Sequence, residues 1–283
     1  MAVKNKGKSM DKTYPHMQVA YDPQHKAAWV AMAAQPVPCF TQTLLHSLLA
    51  YFSDVRAEID SGGREYRYIV GTSGVPGVYN LGGDLRLFAQ AIVRRDRDTL
   101  MAYAADCIKV LYEVMTHLDR ELTTINLVEG DALGGGFEGA LAGNVLIAEK
   151  GARMGLPEVL FNLFPGMGAY SMLSRKAGGS VAEKMMMGGE IYTAEQLYEM
   201  GVVDILAEKG EGRQEVLRYI ERAEKSPNSY RAMRRVKDYC NPVSYQELLD
   251  ITTIWVDAAL NLTERDLQVM SHLLHKQGNK FAG

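Results

Sequence analysis

The chain alternates short apolar runs with longer stretches in which apolar residues recur every three or four positions. That mixture is expected where strands and helices share one core. Residues 17–21 and 27–33 read as two strands around a turn at Asp22-Pro23. Residues 41–59 set Leu45, Leu48, Phe52 and Val55 on one helical face. Residues 66–71 read as a third strand, followed by a glycine-rich loop over 72–83, and Asp84 is placed to cap the helix after it. In the next helix Leu100, Tyr103, Cys107, Val110, Leu111 and Val114 keep helical spacing.

The stretch 129–168 is the one around which the rest is arranged. Before it, residues 124–128 (TINLV) run apolar like a buried strand; within it come three glycines, and residues 137–141 begin a helix. Gly134, Gly135 and Gly136 therefore sit at a helix N-terminus. There the backbone N–H groups lack intrahelical acceptors and the dipole is positive, so a developing anion can be held without a charged side chain. Two carboxylates, Glu138 and Glu158, each stand beside a glycine- or proline-bearing turn. Further on, residues 169–177 and 181–187 read as helical, and Thr193 opens a helix with Gln196 in capping-box position. Gly201 ends that helix before the apolar run 202–206, and from Arg213 the pattern is helical almost throughout: 216–223, 229–239, 244–261 and 263–274. The order predicts an α/β fold followed by a helical C-terminal region, with no internal sequence repeat.

Composition narrows the chemistry. With 283 residues and 47% hydrophobic content the chain can bury a full core, and a net charge of −3 is too small to point to nucleic acid or a membrane surface. Cys39, Cys107 and Cys240 are few and far apart, which argues against a disulfide framework and fits a reducing cytoplasm. Residues 1–13 are basic and polar with no apolar core of a signal peptide, so they read as a disordered lead. No apolar run approaches membrane-spanning length. No His and carboxylate spacing suggests a metal, and the absence of G-x-S-x-G disfavours a serine thioesterase. GGGFEG at 134–139 formally matches a dinucleotide fingerprint, but only a short helical stretch separates it from the next strand. Glu129 and Asp131 read as solvated loop charges.

Four segments in register, VYNLGGDL (78–85), VEGDALGGGFEGAL (128–141), MGLPEVLFNLFPGMGAY (154–170) and YTAEQLYEMGVVD (192–204), resemble the crotonase, or enoyl-CoA hydratase/isomerase, superfamily. Within it, GGGFE, the PEVLFNLFPGMGAYS segment and ITTIWVDAAL (251–260) are similar to the diffusible-signal-factor synthases, which make cis-2-unsaturated fatty acids for quorum sensing. The resemblance implies a crotonase-like ββα-repeat spiral core over 14–207 and a helical region over 208–283. It implies that Gly83 and Gly135 form an oxyanion hole and that Glu138 and Glu158 are the catalytic acid and base. The substrate implied is a 3-hydroxyacyl group on acyl carrier protein or coenzyme A, with no further cofactor. A sensor kinase's receiver domain is an implied partner, and a homo-oligomer, trimer or hexamer, the implied assembly. Acyl-pocket candidates are Met167, Tyr170 and Met172 after the PG turn, Ile251 and Trp255 one turn apart on a C-terminal helix, and Leu273 on the last helix.

The chemistry agrees with this assignment. Removing a thioester's α-proton places charge on the carbonyl oxygen, which two fixed N–H donors can hold, while one carboxylate takes the C2 proton and the other protonates the leaving hydroxyl. The chain departs from hydratases at Ala169-Tyr170, where these generally continue with a second glycine, and at Phe137, which replaces a smaller residue. A conventional enoyl-CoA hydratase of fatty-acid metabolism is the alternative. Basic clusters at Arg94, Arg95 and Arg97, and at Arg231, Arg234, Arg235 and Lys237, read either as a carrier-binding surface or as solvated helix faces.

Overall fold

The computed structural model describes residues 12–279. The expected lead 1–13 therefore lies almost wholly outside the described residues; Lys12 falls within them and pairs with Asp54 at 2.5 Å. The chain opens with a hairpin of β1 (Met17–Asp22) and β2 (Ala27–Met32). The Asp22 carboxylate shapes its turn by accepting from the Gln24 and His25 N–H groups at 2.9 and 3.2 Å. Helix α1 (Gln42–Asp60) follows, its first turn closed by the Thr41 hydroxyl accepting from Leu44 N–H.

Three rounds of one design come next. In the first, β3 (Tyr68–Ser73) and β4 (Val78–Asn80) lead into α2 (Leu85–Val93) and α3 (Arg97–Met115). The second is β5 (Thr123–Val128), β6 (Asp131–Leu133) and α4 (Gly135–Leu141). The third is β7 (Val145–Glu149) and β8 (Arg153–Gly155), then α5 (Ala169–Ala177) and α6 (Gly179–Gly188). Each round places its first strand in a large sheet ordered β1-β2-β3-β5-β7-β10 and its second in a small sheet ordered β4-β6-β8-β9. The small sheet is completed by β9 (Ile191–Thr193), which runs into α7 (Ala194–Glu199), and the large one by β10 (Ile205–Ala207). Thr193 and Gln196 form the expected capping box. The repeat lies in the backbone path, while the side chains differ from round to round, so no sequence repeat marks it.

The glycine-rich stretch 72–83 is where the structure departs most from the loop expected there, because it contains β4. A three-residue strand is too short to show a period of two, and its pairing with β6 comes from a distant part of the chain. The large sheet is buried on both faces. One face meets α1 and α3 in the main core; on the other, Trp29, Tyr68, Val70, Ile125 and Ile147 pack against Val216 and Ile220 of α8 (Gly212–Lys225). This explains why β5 reads as a continuous apolar run. The helical end comprises α8, α9 (Pro227–Cys240), α10 (Tyr245–Ala259) and α11 (Glu264–Asn279). Helix α10 lies on α3, tied by Arg97 donating to Asp257 at 3.0 Å. Among the described residues no helix is long and apolar enough to cross a membrane.

Candidate active site

Two backbone turns meet at the edge of the small sheet. After β4, Asn80 Oδ1 accepts the Gly82 N–H at 2.8 Å and bends the chain so that Gly82-Gly83 lies against the start of α4. The fit leaves no room for side chains. A β-carbon at Gly135 would lie 3.3 Å from the Gly83 nitrogen, and one at Gly136 would lie 2.0 Å from the Asn80 carbonyl oxygen. Gly83 N–H pairs with no acceptor among the described residues, and Gly135, as the first residue of α4, has no intrahelical acceptor. The Tyr103 hydroxyl fixes the turn from behind by accepting Asp84 N–H at 2.9 Å while donating to the Phe40 carbonyl. Asp84 itself caps α2, as expected.

Helix α4 is fastened to the sheet by Asn126, which donates to the Gly139 and Ala140 carbonyls at 2.9 and 3.0 Å. This aims Glu138 inward, where it is 1% exposed. Its Oε1 accepts from Met167 N–H at 2.9 Å and from Ala169 N–H, the first of α5, at 3.0 Å. Burial lifts its pKa to about 7, against the lowering effect of those two bonds. Glu158 stands in a 3₁₀ turn, Pro157–Phe161, with its Oε2 shielded and without a protein donor. Burial, with the neighbouring Glu138 charge adding to it, raises its pKa to about 8.

Gly134 joins the two halves of this arrangement. Its φ of +54° suits glycine, and a β-carbon there would sit 2.5 Å from Glu158 Oε1. Gly134→Ala is expected to cost about 1–3 kcal/mol in backbone strain and to displace Glu158, lowering turnover more than it lowers the melting temperature. Unchanged steady-state kinetics in that variant would show that the contact is not a constraint. Tyr103→Phe removes the hydroxyl that accepts from Asp84 N–H and donates to the Phe40 carbonyl, roughly 1–3 kcal/mol for a buried hydrogen-bonding group. Thermal unfolding and kcat, measured together, should both fall.

Both carboxylates and both free N–H groups line one cavity of about 380 Å³. Its inner wall is apolar, with Leu45 from α1, Val110 and Leu111 from α3, Phe88 from α2 and Trp255 from α10. Exposed lining residues mark the mouth: Leu160, Ile191 and Arg153. Arg153 holds Asp131 through two bonds of 3.0 and 2.6 Å, so Asp131 belongs to a strand and an ion pair rather than to a solvated loop. Glu129 is exposed as expected, accepting from the Thr72 hydroxyl at 2.9 Å. Two neighbouring carboxyls with raised pKa values, beside two N–H groups that can hold an oxyanion, can move a proton at carbon next to a thioester carbonyl.

A family model described as Enoyl-CoA hydratase/isomerase matches residues 28–248. The chain belongs to this family. It is 27% identical over 219 residues to Probable enoyl-CoA hydratase 2, mitochondrial, of Arabidopsis thaliana, covering 77% of this chain and 70% of that protein. It is 44% identical over 79 residues to the 2,3-dehydroadipyl-CoA hydratase of Escherichia coli, a match over 28% of this chain and only 31% of that protein's length. Among solved structures, Pseudomonas aeruginosa DspI superposes with a TM-score of 0.66 at 23% identity, over 87% of this chain and 95% of that one, a likeness of fold. The two-sheet ββα spiral is the crotonase fold.

Within this enoyl-CoA hydratase/isomerase scaffold the expected acyl-pocket residues divide. Met167 and Trp255 line the cavity. Tyr170 does not: it follows Ala169 on α5, and a step of about 100° along the helix turns it outward, 41% exposed, with its hydroxyl toward Glu183. Met172 is buried but lines a different cavity. Ile251 is half-buried off the cavity, because α10 reaches it only through Trp255, its Leu248 and Thr252 packing on the turn at 166–168 instead. The Leu273 side chain lies outside the described residues. Tyr103, Asn80, Asn126 and Phe88 were not legible as site residues. In sequence Tyr103 is one member of an apolar helical stripe, and nothing there reveals where its hydroxyl lands.

Proposed function

We propose that the protein is a crotonase-type lyase with thioesterase activity, which dehydrates a 3-hydroxyacyl group on acyl carrier protein and releases a free cis-2-unsaturated fatty acid as a quorum-sensing signal. One observation carries this reading: two shielded carboxyls and two unengaged N–H groups share an apolar cavity walled by Trp255. Glu138 and Glu158 are the catalytic pair, Gly83 and Gly135 the oxyanion hole, and Met167 and Trp255 part of the acyl wall. Trp255 belongs to the segment 251–260, whose sequence is similar to the signal synthases, and this supports the finer assignment.

In the first step the ionised carboxylate takes the C2 proton, and the electron pair of that C–H bond moves onto the thioester carbonyl oxygen, held by Gly83 and Gly135 N–H. The pair returns to form the C2–C3 double bond as the C3–O bond breaks, and the protonated carboxyl gives its proton to the departing hydroxide, which leaves as water. In the second step a carboxylate takes a proton from water as its oxygen attacks the carbonyl carbon. The tetrahedral oxyanion occupies the same two N–H groups, the C–S bond breaks, and the carrier thiol leaves with a proton.

A conventional enoyl-CoA hydratase is favoured as a second reading by the Arabidopsis match over most of the chain. Mass spectrometry of products from purified protein, given 3-hydroxyacyl groups on acyl carrier protein and separately on coenzyme A, decides between them. Free cis-2-enoic acid from the carrier-protein substrates is expected. Reversible trans-enoyl-CoA hydration alone, with no acid released, would replace the first reading by the second.

A further inference from the structure

A second cavity, about 730 Å³, lies beneath α9 and shares no lining residue with the one that holds Glu138 and Glu158. Its volume falls within the range of about 300–1,000 Å³ typical of small-molecule sites. The roof is α9, a helix without a single buried residue. It rests on polar pegs: Arg234 Nη1 donates to the Thr123 hydroxyl at 2.6 Å, and His117 Nε2 lies 3.0 Å from Asp238. Tyr230 adds an edge contact to Tyr219 of α8, with ring centroids 6.0 Å apart.

The lining has two kinds of surface. One is apolar and pliable, with Met115, Leu141 and Met172 on the floor and Met233 and Val236 on the roof. Met233 and Val236 are 64% and 51% exposed, so the fold leaves this side of α9 uncovered. The other surface is cationic. Arg67, Arg175 and Lys176 line it but are occupied by Glu224 at 2.6 Å, Glu247 at 2.8 Å and Asp204 at 2.6 Å. Arg231, Arg234 and Lys237, spaced three apart on α9, make no ion pair among the described residues. Of the three acidic lining residues, Glu224 is held by Arg67 and Asp238 faces His117, which leaves Glu121. Burial lowers the pKa of Arg234 against the raising effect of Asp238, Tyr219 and Glu121, and lowers that of Lys176 against the raising effect of Asp204.

We infer that the cavity beneath α9 is a second ligand site, which binds a fatty acid with its carboxylate on the Arg231, Arg234 and Lys237 stripe and its chain along the methionine-lined floor. An inorganic anion would satisfy the stripe and leave the apolar floor and roof uncovered; an uncharged lipid would do the reverse. A fatty carboxylate matches both surfaces. The site stands whatever reaction the first cavity performs, and where that reaction yields a fatty acid it offers a place for product to bind apart from the chemistry.

The test is photolabelling of the full chain with a medium-chain fatty acid carrying a diazirine on its alkyl chain, followed by peptide mapping. The Arg231→Gln/Lys237→Gln double variant serves as the comparison, because these two side chains make no ion pair or hydrogen bond among the described residues and their loss leaves the Arg234–Thr123 peg in place. Label is expected on peptides of α9 and on the peptide containing Met172, in addition to any in the first cavity. In the double variant the second-cavity label should fall at least about tenfold, with first-cavity label unchanged, and the methyl ester of the probe should label the second cavity equally poorly. Label confined to the first cavity overturns the inference. So does second-cavity label that persists in the double variant or with the ester, or that unlabelled fatty acid fails to displace while adenosine 3′,5′-bisphosphate succeeds.

Discussion

Glu158→Gln is expected to lower the rate of dehydration by about 10²–10⁴-fold, the usual worth of one positioned acid or base, and Glu138→Gln to do the same. The proposed mechanism needs one of the pair ionised and the other protonated. Burial raises Glu138 to about 7 and burial with the Glu138 charge raises Glu158 to about 8, so the singly protonated pair is the populated form around neutral pH. The profile of kcat/KM against pH should be a bell centred in that region. Each glutamine variant, which fixes one partner as neutral, should lose one limb of it. A single variant that keeps more than a third of the activity, with the bell intact, would remove that residue from the mechanism.

The raised carboxyls also make a claim about stability whose sign is opposite to that of an ordinary surface carboxylate. Both folded-state values lie above the unfolded value of 4.5, so the contribution is fully present below pH 4.5 and is lost as pH rises through 7 and 8. A tenfold change in proton affinity between the folded and unfolded chain is worth about 1.4 kcal/mol, so the ionised pair costs the fold on the order of a few kcal/mol by about pH 9. Glu158→Gln is therefore expected to melt above the unsubstituted protein at about pH 9 and near it at about pH 5. Melting curves of the two that run parallel over this range would show that the carboxyl is not shielded.

Long, periodic and buried segments are what a single sequence displays well. The hairpin turn at Asp22, the cap at Asp84, the Thr193 capping box and the helical stripe on α3 all rest on neighbours within a few residues, so they are legible from local chemistry. The small sheet has no such signal, because β4, β6, β8 and β9 are three residues each and exist through pairing with one another. Four motifs in register convey that architecture where periodicity cannot. They place Gly83, Gly135, Glu138 and Glu158 by sequence position, and the fold brings all four to one cavity. What they do not convey is direction: Tyr170 and Met172 sit two residues apart on α5 and point to solvent and to the second cavity. The Arg231 to Lys237 stripe has the spacing of a solvated helix face, and only the path of α9 over the core turns it toward a cavity.

Trp255→Ala is expected to cost about 3–5 kcal/mol, the range for emptying a large aromatic from a core, and to change which acyl chains the enzyme accepts. Trp255 is 2% exposed, its ring lies 5.0 Å from that of Phe88, and it presses so closely on the turn before α5 that a β-carbon at Gly166 would sit 2.3 Å from it. Removing it enlarges the first cavity on its apolar side. Phe88 then loses the neighbour that holds it against Tyr103 and over Gly83, where a β-carbon would be 2.6 Å from the Phe88 ring. In the proposed reading, stability, chain-length preference and the Gly82-Gly83 turn are thus coupled through one side chain. Trp255→Phe, which keeps an aromatic face toward Phe88, should recover most of the stability and turnover while still shifting preference toward longer chains. Thermal unfolding read beside product profiles for a series of 3-hydroxyacyl lengths separates the effects. A Trp255→Ala enzyme that is destabilised but keeps the original length profile would mean that the acyl end lies elsewhere in the cavity, against Leu45, Val110 and Leu111 alone.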